Sequence, residues 1–417
     1  MLSLKSIALS NGMRIIHVPH LTGSVTACLR GLAGSCYEGE DEVGAAHALE
    51  HLCTKTNGLS NEILANGGRM TGTTSRDDVA FLVKVLKKDL PLAIEHLFAI
   101  FTKPKLDPAV FENVKGSIRH EIYQNIEDPK KHIGRLAYKI LYPNQRLATF
   151  NTGTVEDLNS LALENLVKFY QRHYLPGNFV LSVCGNFNSR QFFKLANEYF
   201  GKLAGKDPNQ IPIHKPNYKP GVIIENRPNL SQTHLKIDYH GYNTAQKLKY
   251  PAHLLAIILS KRLNQMLKEA NVPSLSPYIL DTASFSTNSY GLFGTYTSLS
   301  PESLEDFLTV YAIKTNNLKT ELITQEELHY AKNKAQADIE FAMEKTSLRA
   351  DLYSELYLYQ NTARDHEEEI IHLRSCTKND VLDTARDLFS QDPKLTVIDR
   401  SLSEPALKQL YTRAFLR

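Results

Sequence analysis

A proline-rich break near the middle of the chain separates two stretches that each alternate between strand-like and helix-like patterns. Residues 206–221 contain four prolines and few apolar side chains, which is the composition of a linker. On either side, segments such as SVTACLRGLAG and HLKIDYHGY predict strands, and longer periodic segments predict helices. A length of 417 residues is enough for two ordinary domains. We therefore predict a metal-bearing N-terminal domain over 1–205, a linker over 206–221 and a related domain over 222–417.

A faint internal repeat indicates that the two halves are related. In the first half, the segment PHLT leads through a predicted strand to a helix that contains His47. In the second half, the segment PNLS leads through a predicted strand to a helix that contains His253. The second helix has Ala256 and Ile257 where the first has a glutamate and another histidine. One half is therefore expected to carry chemistry and the other to be a structural twin.

The segment HALEH, from His47 to His51, is the sharpest chemical signal in the chain. Histidines four residues apart lie on one face of a helix, so both imidazoles can reach one ion at zinc–nitrogen distance. Glu50 stands beside that ion, placed to take a proton from a water whose pKa the zinc lowers. This order is the inverted zincin motif H-x-x-E-H. A solvated surface helix is the competing interpretation, but apolar neighbours such as Leu49 and Leu52 disfavour it because polar groups among them need partners.

Two histidines leave a zinc site one protein ligand short, and the third ligand is commonly a carboxylate. Asp107-Pro108 predicts the start of a helix that runs to about residue 126. The acidic candidates on this segment are Glu112, Glu121 and Glu127. Their spacing alone does not choose among them.

Charge, cysteine content and hydropathy exclude several classes of function. The net charge of +3 gives no support to a nucleic-acid or polybasic membrane role. The five cysteines are odd in number and irregularly spaced, which favours reduced thiols in a cytosol-like compartment. We see no signal peptide or leader at the N-terminus, and the longest apolar stretch, Leu254 to Leu259, is too short to cross a bilayer. We therefore predict a cytoplasmic protein that binds neither nucleic acid nor membranes.

Several blocks of the sequence resemble the pitrilysin/insulinase/mitochondrial-processing-peptidase family of zinc peptidases. These blocks are NGMRIIHV, VGAAHALEHL, GGRMTGTTSRDDVAFLVKVLKKDLPLAIEHL and DPAVFENVKGSIRHEIYQNIEDP, followed later by HYLPGNFVLSVCGNF and SYGLFGTYTSLSPE. The resemblance implies an α/β fold of two homologous domains, each a mixed, largely antiparallel sheet packed with helices. It also implies that His47 and His51 are zinc ligands, that Glu50 is the general base, and that Glu121 is the third ligand.

The resemblance also implies a partner and a substrate. A half-length chain of this family pairs with a related subunit to enclose a clamshell chamber, so we expect a homodimer or a heterodimer. The expected substrate is an extended, unfolded peptide that adds as a strand to the segment from Met70 to Thr74, where Gly72 and Thr73 would bind it. Tyr278 matches the tyrosine with which the family's second domain holds substrate.

Two departures from the family pattern leave a second function open. Val114 stands where the family often has another glutamate, and the arginine that accompanies Tyr278 is absent from LKEANVPSLSPY. An intact His47, Glu50, His51 and Glu121 favours a zinc endopeptidase, whereas the departures favour a catalytically silent or weak subunit that acts in binding or assembly with an active partner. A zinc hydrolase of non-peptide substrates is less favoured, because the whole-chain pattern is that of the peptidases.

Overall fold

The structure is a computed structural model that describes residues 4–54, 58–205, 217, 219, 221–269, 279–360 and 366–416, with the backbone alone for 267–269. Its strands are β1 (Lys5–Ala8), β2 (Arg14–Pro19), β3 (Ser24–Gly31), β4 (Arg69–Thr74), β5 (Val79–Leu86), β6 (Phe179–Gly185), β7 (Gly221–Asn226), β8 (Thr233–His240), β9 (Ile279–Ser286), β10 (Gly291–Leu299) and β11 (Lys394–Asp399). Its helices are α1 (Ala45–Thr54), α2 (Leu59–Ala65), α3 (Leu90–Thr102), α4 (Pro108–Glu127), α5 (Pro129–Leu141), α6 (Val155–Ser160), α7 (Leu163–His173), α8 (Ser189–Phe200), α9 (Lys249–Glu269), α10 (Leu304–Thr320), α11 (Gln325–Met343), α12 (Thr346–Gln360), α13 (His366–Ser375), α14 (Lys378–Phe389) and α15 (Glu404–Phe415).

The chain divides into two compact units that are not continuous in sequence. The first unit comprises Met1–Tyr123, Thr149–Pro212 and Glu340–Asp365. The second unit comprises Gln124–Ala148, Ile213–Ile339 and His366–Arg417. Each unit therefore includes one segment from the opposite half of the chain. The predicted linker 206–221 lies, apart from residues 217, 219 and 221, outside the described residues.

The first unit is built on a six-stranded sheet in the order β1-β2-β6-β3-β5-β4. β2 and β6 are parallel, and the other neighbouring pairs are antiparallel. One face of the sheet carries the main apolar core, to which α1, α3, α7 and α8 contribute buried side chains. α12 covers the other face, where Ala350 and Tyr353 pack in one cluster with Ile16, Cys28 and Val180. β4 lies at the edge of the sheet, with β5 as its partner among the described strands.

The second unit is built on a five-stranded sheet in the order β7-β11-β8-β10-β9. β7 and β11 are parallel, and the other pairs are antiparallel. Its core draws on α9, α10, α11, α14 and α15, while Ile133 and Leu136 of α5 pack with Ile398 of β11. The five strands β2-β6-β3-β5-β4 of the first unit have the same order and relative orientations as β7-β11-β8-β10-β9 of the second. β1 is the additional strand of the first unit. The fold is thus the predicted α/β class, with two similar domains of mixed, largely antiparallel sheet.

The long helical pattern predicted from Thr324 to Leu358 is two helices in the structure. α11 ends at Met343 and α12 begins at Thr346, and Glu340–Asp365 belongs to the first unit. The prediction of one helix was wrong: α11 places Leu328 and Ala331 in the core of the second unit, whereas α12 places Tyr353 against the sheet of the first. Among the described residues, no helix is both long enough and apolar enough to span a membrane. All five cysteines are buried free thiols.

Candidate metal centre

The start of α1 is fixed by a glycine and by a buried carboxylate. Gly44, immediately before the helix, has a φ of 87°, a conformation that side chains disfavour. The carboxylate of Glu38 accepts hydrogen bonds from the backbone N–H groups of Gly44, at 3.2 Å, and Ala46, at 2.9 Å. A negative charge at a helix N-terminus satisfies unpaired N–H groups and complements the helix dipole. These contacts set where the first turn of α1 lies, and hence where His47 and His51 point.

The side chains of His47, His51 and Glu121 converge. His47 Nε2 lies 3.2 Å from His51 Nε2 and 2.9 Å from Glu121 Oε2. His51 Nε2 lies 3.5 Å from Glu121 Oε1. Among the described residues, this is the group of His, Cys, Asp and Glu side chains that could hold a metal ion.

The spacing of these atoms fits a tetrahedral zinc ion. Ligand atoms about 2.0–2.1 Å from a tetrahedral centre are roughly 3.3 Å from one another. The separation of the two Nε2 atoms, 3.2 Å, is close to that value, and each Nε2 has one of the two Glu121 oxygens at 2.9 or 3.5 Å. The Glu121 side chain is 40% exposed, so the cluster is open to solvent on one side. Two imidazoles, one carboxylate and an open position are the ligand set of a catalytic zinc site.

Glu50 is held beside this cluster rather than within it. Its carboxylate is buried, and Oε2 lies 3.8 Å from His47 Nδ1. The hydroxyl of Thr74 donates a hydrogen bond to the same oxygen at 3.0 Å. Burial raises the pKa of Glu50, and Glu121 adds to the rise, whereas His47 and the Thr74 hydrogen bond lower it. The carboxylate can therefore act next to a metal ion as a proton acceptor.

Strand β4 runs alongside α1 and alternates between two faces. Met70, Gly72 and Thr74 point inward, whereas Thr71 and Thr73 are exposed. A Cβ atom at Gly72 would lie 2.2 Å from Glu50 Oε1, so only glycine leaves room for this carboxylate. Gly72, which we predicted as a substrate contact, thus borders the Glu50 side chain. Thr73 lies on the exposed side of the edge strand.

The remaining predicted positions have different surroundings. Glu112 is exposed and pairs with Lys115 at 3.3 Å, and Glu127 is exposed. The structure thus selects Glu121 from the three acidic candidates. Val114 is buried in the apolar core of the first unit. Tyr278 and most of the segment that carries it lie outside the described residues.

Sequence reasoning missed two residues of this site, Thr74 and Glu38. Thr74 follows Gly72 by two positions, so strand alternation would have placed both on the face that meets α1. No sequence signal distinguishes Glu38 from the acidic residues around it, because its contact with Gly44 and Ala46 depends on the path of the loop before α1.

The fold and the site together have the architecture of a metallohydrolase with an inverted zincin motif. Residues 20–154 match the sequence model of the family described as "Insulinase (Peptidase family M16)". Residues 160–335 match the model described as "Peptidase M16 inactive domain". An uncharacterized zinc protease of Streptomyces coelicolor is 25% identical over 95% of this chain and 89% of its own length. Subunit 1 of the mitochondrial cytochrome b-c1 complex of Bos taurus is 27% identical over 56% of this chain and 50% of its own length. The crystal structure of a protease from Helicobacter pylori has a TM-score of 0.86 and 20% identity, covering 95% of this chain and 99% of that one.

The chain belongs to peptidase family M16, the insulinase family of zinc metallopeptidases. Its relatives include proteins named as zinc proteases and a subunit of the cytochrome b-c1 complex. Membership of the family therefore does not decide between the two functions that the sequence left open.

Proposed function

We propose that this chain is a zinc-dependent endopeptidase subunit that hydrolyses unfolded peptides. One observation carries the proposal: His47, His51 and Glu121 each present one ligand atom, with the three atoms within 4.8 Å of one another, and Glu50 lies on the same helix as the two histidines. A silent subunit has no need to keep all four of these side chains in this arrangement.

The residues of the site have distinct roles in peptide hydrolysis. A zinc ion held by His47, His51 and Glu121 would polarise the scissile carbonyl and acidify the attacking water. Glu50 accepts the proton of that water as it attacks, and returns the proton to the leaving amine. The buried position of Glu50 keeps bulk water from competing for its carboxylate.

The substrate is proposed to bind along the edge of β4 that is not paired with any other described strand. An edge strand offers unpaired backbone N–H and C=O groups, to which an extended peptide can add as another strand. β4 combines such an edge with an inward face that borders Glu50. Gly72 and Thr73 would contribute backbone groups to the pairing, and Tyr278 would hold the substrate from the second domain. Recognition through the backbone predicts broad selectivity for side chains.

The working unit is proposed to be a cytoplasmic dimer with a related half-length subunit. The absent arginine near Tyr278 favours a partner that is a different chain with an intact arginine–tyrosine pair. A relative named as a subunit of a larger complex supports assembly with partners. Light scattering of the purified chain, alone and together with a co-expressed half-length relative from the same genome, measures which dimer forms.

The proposal is tested by metal analysis and peptide cleavage on the same preparations. We expect the wild-type protein, with its partner supplied, to bind one zinc ion per chain and to cleave an unfolded peptide. Glu50→Gln should keep the zinc and lose cleavage by about 100-fold or more, because it removes the proton acceptor. Glu121→Gln should lose both, whereas Glu112→Gln, a matched change on the same helix, should lose neither.

The second candidate is a catalytically silent subunit that binds peptide or assembles with an active partner. It is favoured by Val114, a core residue where the family often has a glutamate, and by the cytochrome b-c1 relative. A wild-type protein that holds no metal and cleaves nothing with its partner present would establish this candidate and refute the first.

A further inference from the structure

The Glu50 carboxylate is enclosed on one side by two consecutive inward positions of β4. At the first position, Gly72, a Cβ atom would approach Glu50 Oε1 to 2.2 Å. At the second position, the hydroxyl of Thr74 donates to Glu50 Oε2 at 3.0 Å. One oxygen therefore fits into a space that only glycine provides, and the other accepts a hydrogen bond. Among the described residues, the side chain that donates a hydrogen bond to this carboxylate is that of Thr74.

Thr74 is itself held in place from two directions. Its backbone is paired with Val79 at the end of the β4–β5 ladder. Its carbonyl oxygen accepts a hydrogen bond from the side-chain amide of Asn151 at 2.7 Å. The backbone that carries this hydroxyl is therefore fixed both by strand pairing with Val79 and by the hydrogen bond from Asn151. A glutamate side chain has several rotatable bonds, so a fixed donor restricts which way its carboxylate faces.

We propose that Thr74 is a positioning residue for Glu50: its hydroxyl holds the carboxylate in the orientation that takes the proton from the attacking water. This inference rests on the proposed function. The hydroxyl donates its hydrogen bond to Glu50, so its removal should slow the chemical step and leave substrate binding unchanged. Thr74 thus differs from Gly72, which provides space, and from Thr73, which lies on the exposed side of the strand.

The experiment measures kcat, KM and zinc content for wild type, Thr74→Val and Thr74→Ser. Valine has the shape of threonine without the hydroxyl, and serine restores the hydroxyl alone. We expect Thr74→Val to lower kcat about 10- to 100-fold, with KM within about 2-fold of wild type and one zinc ion per chain retained. Thr74→Ser should recover kcat to within about 3-fold. In a Glu50→Gln background, Thr74→Val should have no further effect, because the base that it positions is gone.

Thr102→Val is the matched control. The Thr102 hydroxyl donates to the carbonyl oxygen of Phe98 within α3 and does not contact Glu50. A kcat for Thr74→Val equal to that of Thr102→Val would overturn the inference. A raised KM with unchanged kcat would also overturn it, because that result identifies Thr74 as a substrate contact. Loss of zinc from Thr74→Val would overturn it as well, because that result identifies a structural residue. Failure of the proposed function is distinct, because there the wild-type protein itself cleaves nothing.

Discussion

Replacing Gly72 with alanine tests most directly how closely β4 borders Glu50, the proposed catalytic base. The added Cβ would lie 2.2 Å from Glu50 Oε1 and 2.8 Å from its Cδ. Ordinary van der Waals contact begins at 3.4 Å, so the carboxylate must retreat by about 1 Å or the strand must move. Glu50 is buried and hydrogen-bonded to Thr74, so a shift of its carboxylate of this size would disturb that hydrogen bond. A misplacement of about 1 Å in a catalytic group costs on the order of 100-fold in rate.

We therefore expect Gly72→Ala to lower kcat by about 100-fold and to retain one zinc ion per chain, because the three ligand side chains do not contact Gly72. The assay is steady-state cleavage of an unfolded fluorogenic peptide, with metal content measured on the same sample. Gly116→Ala is the matched control, since it lies on α4 with Glu121 and its Cβ would meet nothing within 4 Å.

Two results would refute this reasoning. If Gly72→Ala keeps the kcat of Gly116→Ala, the carboxylate is free to move and the close packing has no catalytic role. If the variant raises KM about 10-fold or more at unchanged kcat, Gly72 is chiefly a peptide contact, as the sequence alone had suggested. Loss of zinc would place the damage at the ligands instead of the base.

Three further predictions concern stability. Zinc at about 1,000 times its Kd should raise the unfolding free energy of the metal-free protein by about 4 kcal/mol, a gain that calorimetry should find abolished in Glu121→Gln. Arg30 is buried with its guanidinium 2.7 Å from Asp78 Oδ1 and 2.5 Å from Asp351 Oδ1, so Arg30→Met should cost about 3–5 kcal/mol in urea unfolding; a cost below about 1 kcal/mol would contradict this. Burial lowers the pKa of His96 from 6.5 to about 4, so the unfolded chain takes up a proton first and stability is lost as pH falls from 6.5 towards 4. His96→Leu should reduce this slope between pH 7 and pH 5, and an unchanged slope would exclude His96 as its source.

Much of the fold could be predicted from local pattern. β3 and α4 lie within a few residues of the segments predicted for them, SVTACLRGLAG and the run from Asp107 to about residue 126. Strand alternation and helical periodicity depend on residues that are close in sequence, so strands and helices can be predicted from them without a structure. β7 and β9 are only partly buried, and α5 and α15 lie in polar stretches, so none of these four was predicted.

For the site, the sequence determined the two histidines and Glu50, because a four-residue helical spacing fixes their common face. Spacing restricted the third position to Glu112, Glu121 or Glu127, and the family resemblance then indicated Glu121. Only the tertiary structure brought Glu121 to the histidines, because that depends on how α4 packs against the rest of the first unit.

The same division holds for the fold as a whole. The sequence predicted helical structure up to Leu358, but not that a separate helix begins at Thr346. The tertiary structure decided that this helix covers the sheet of the first unit, and that α5, from the first half of the chain, covers the sheet of the second. An apolar helix face predicts that the helix packs against another surface, but it does not identify that surface. The sheet against which each of these helices packs is distant in sequence, and shape and packing determine the match.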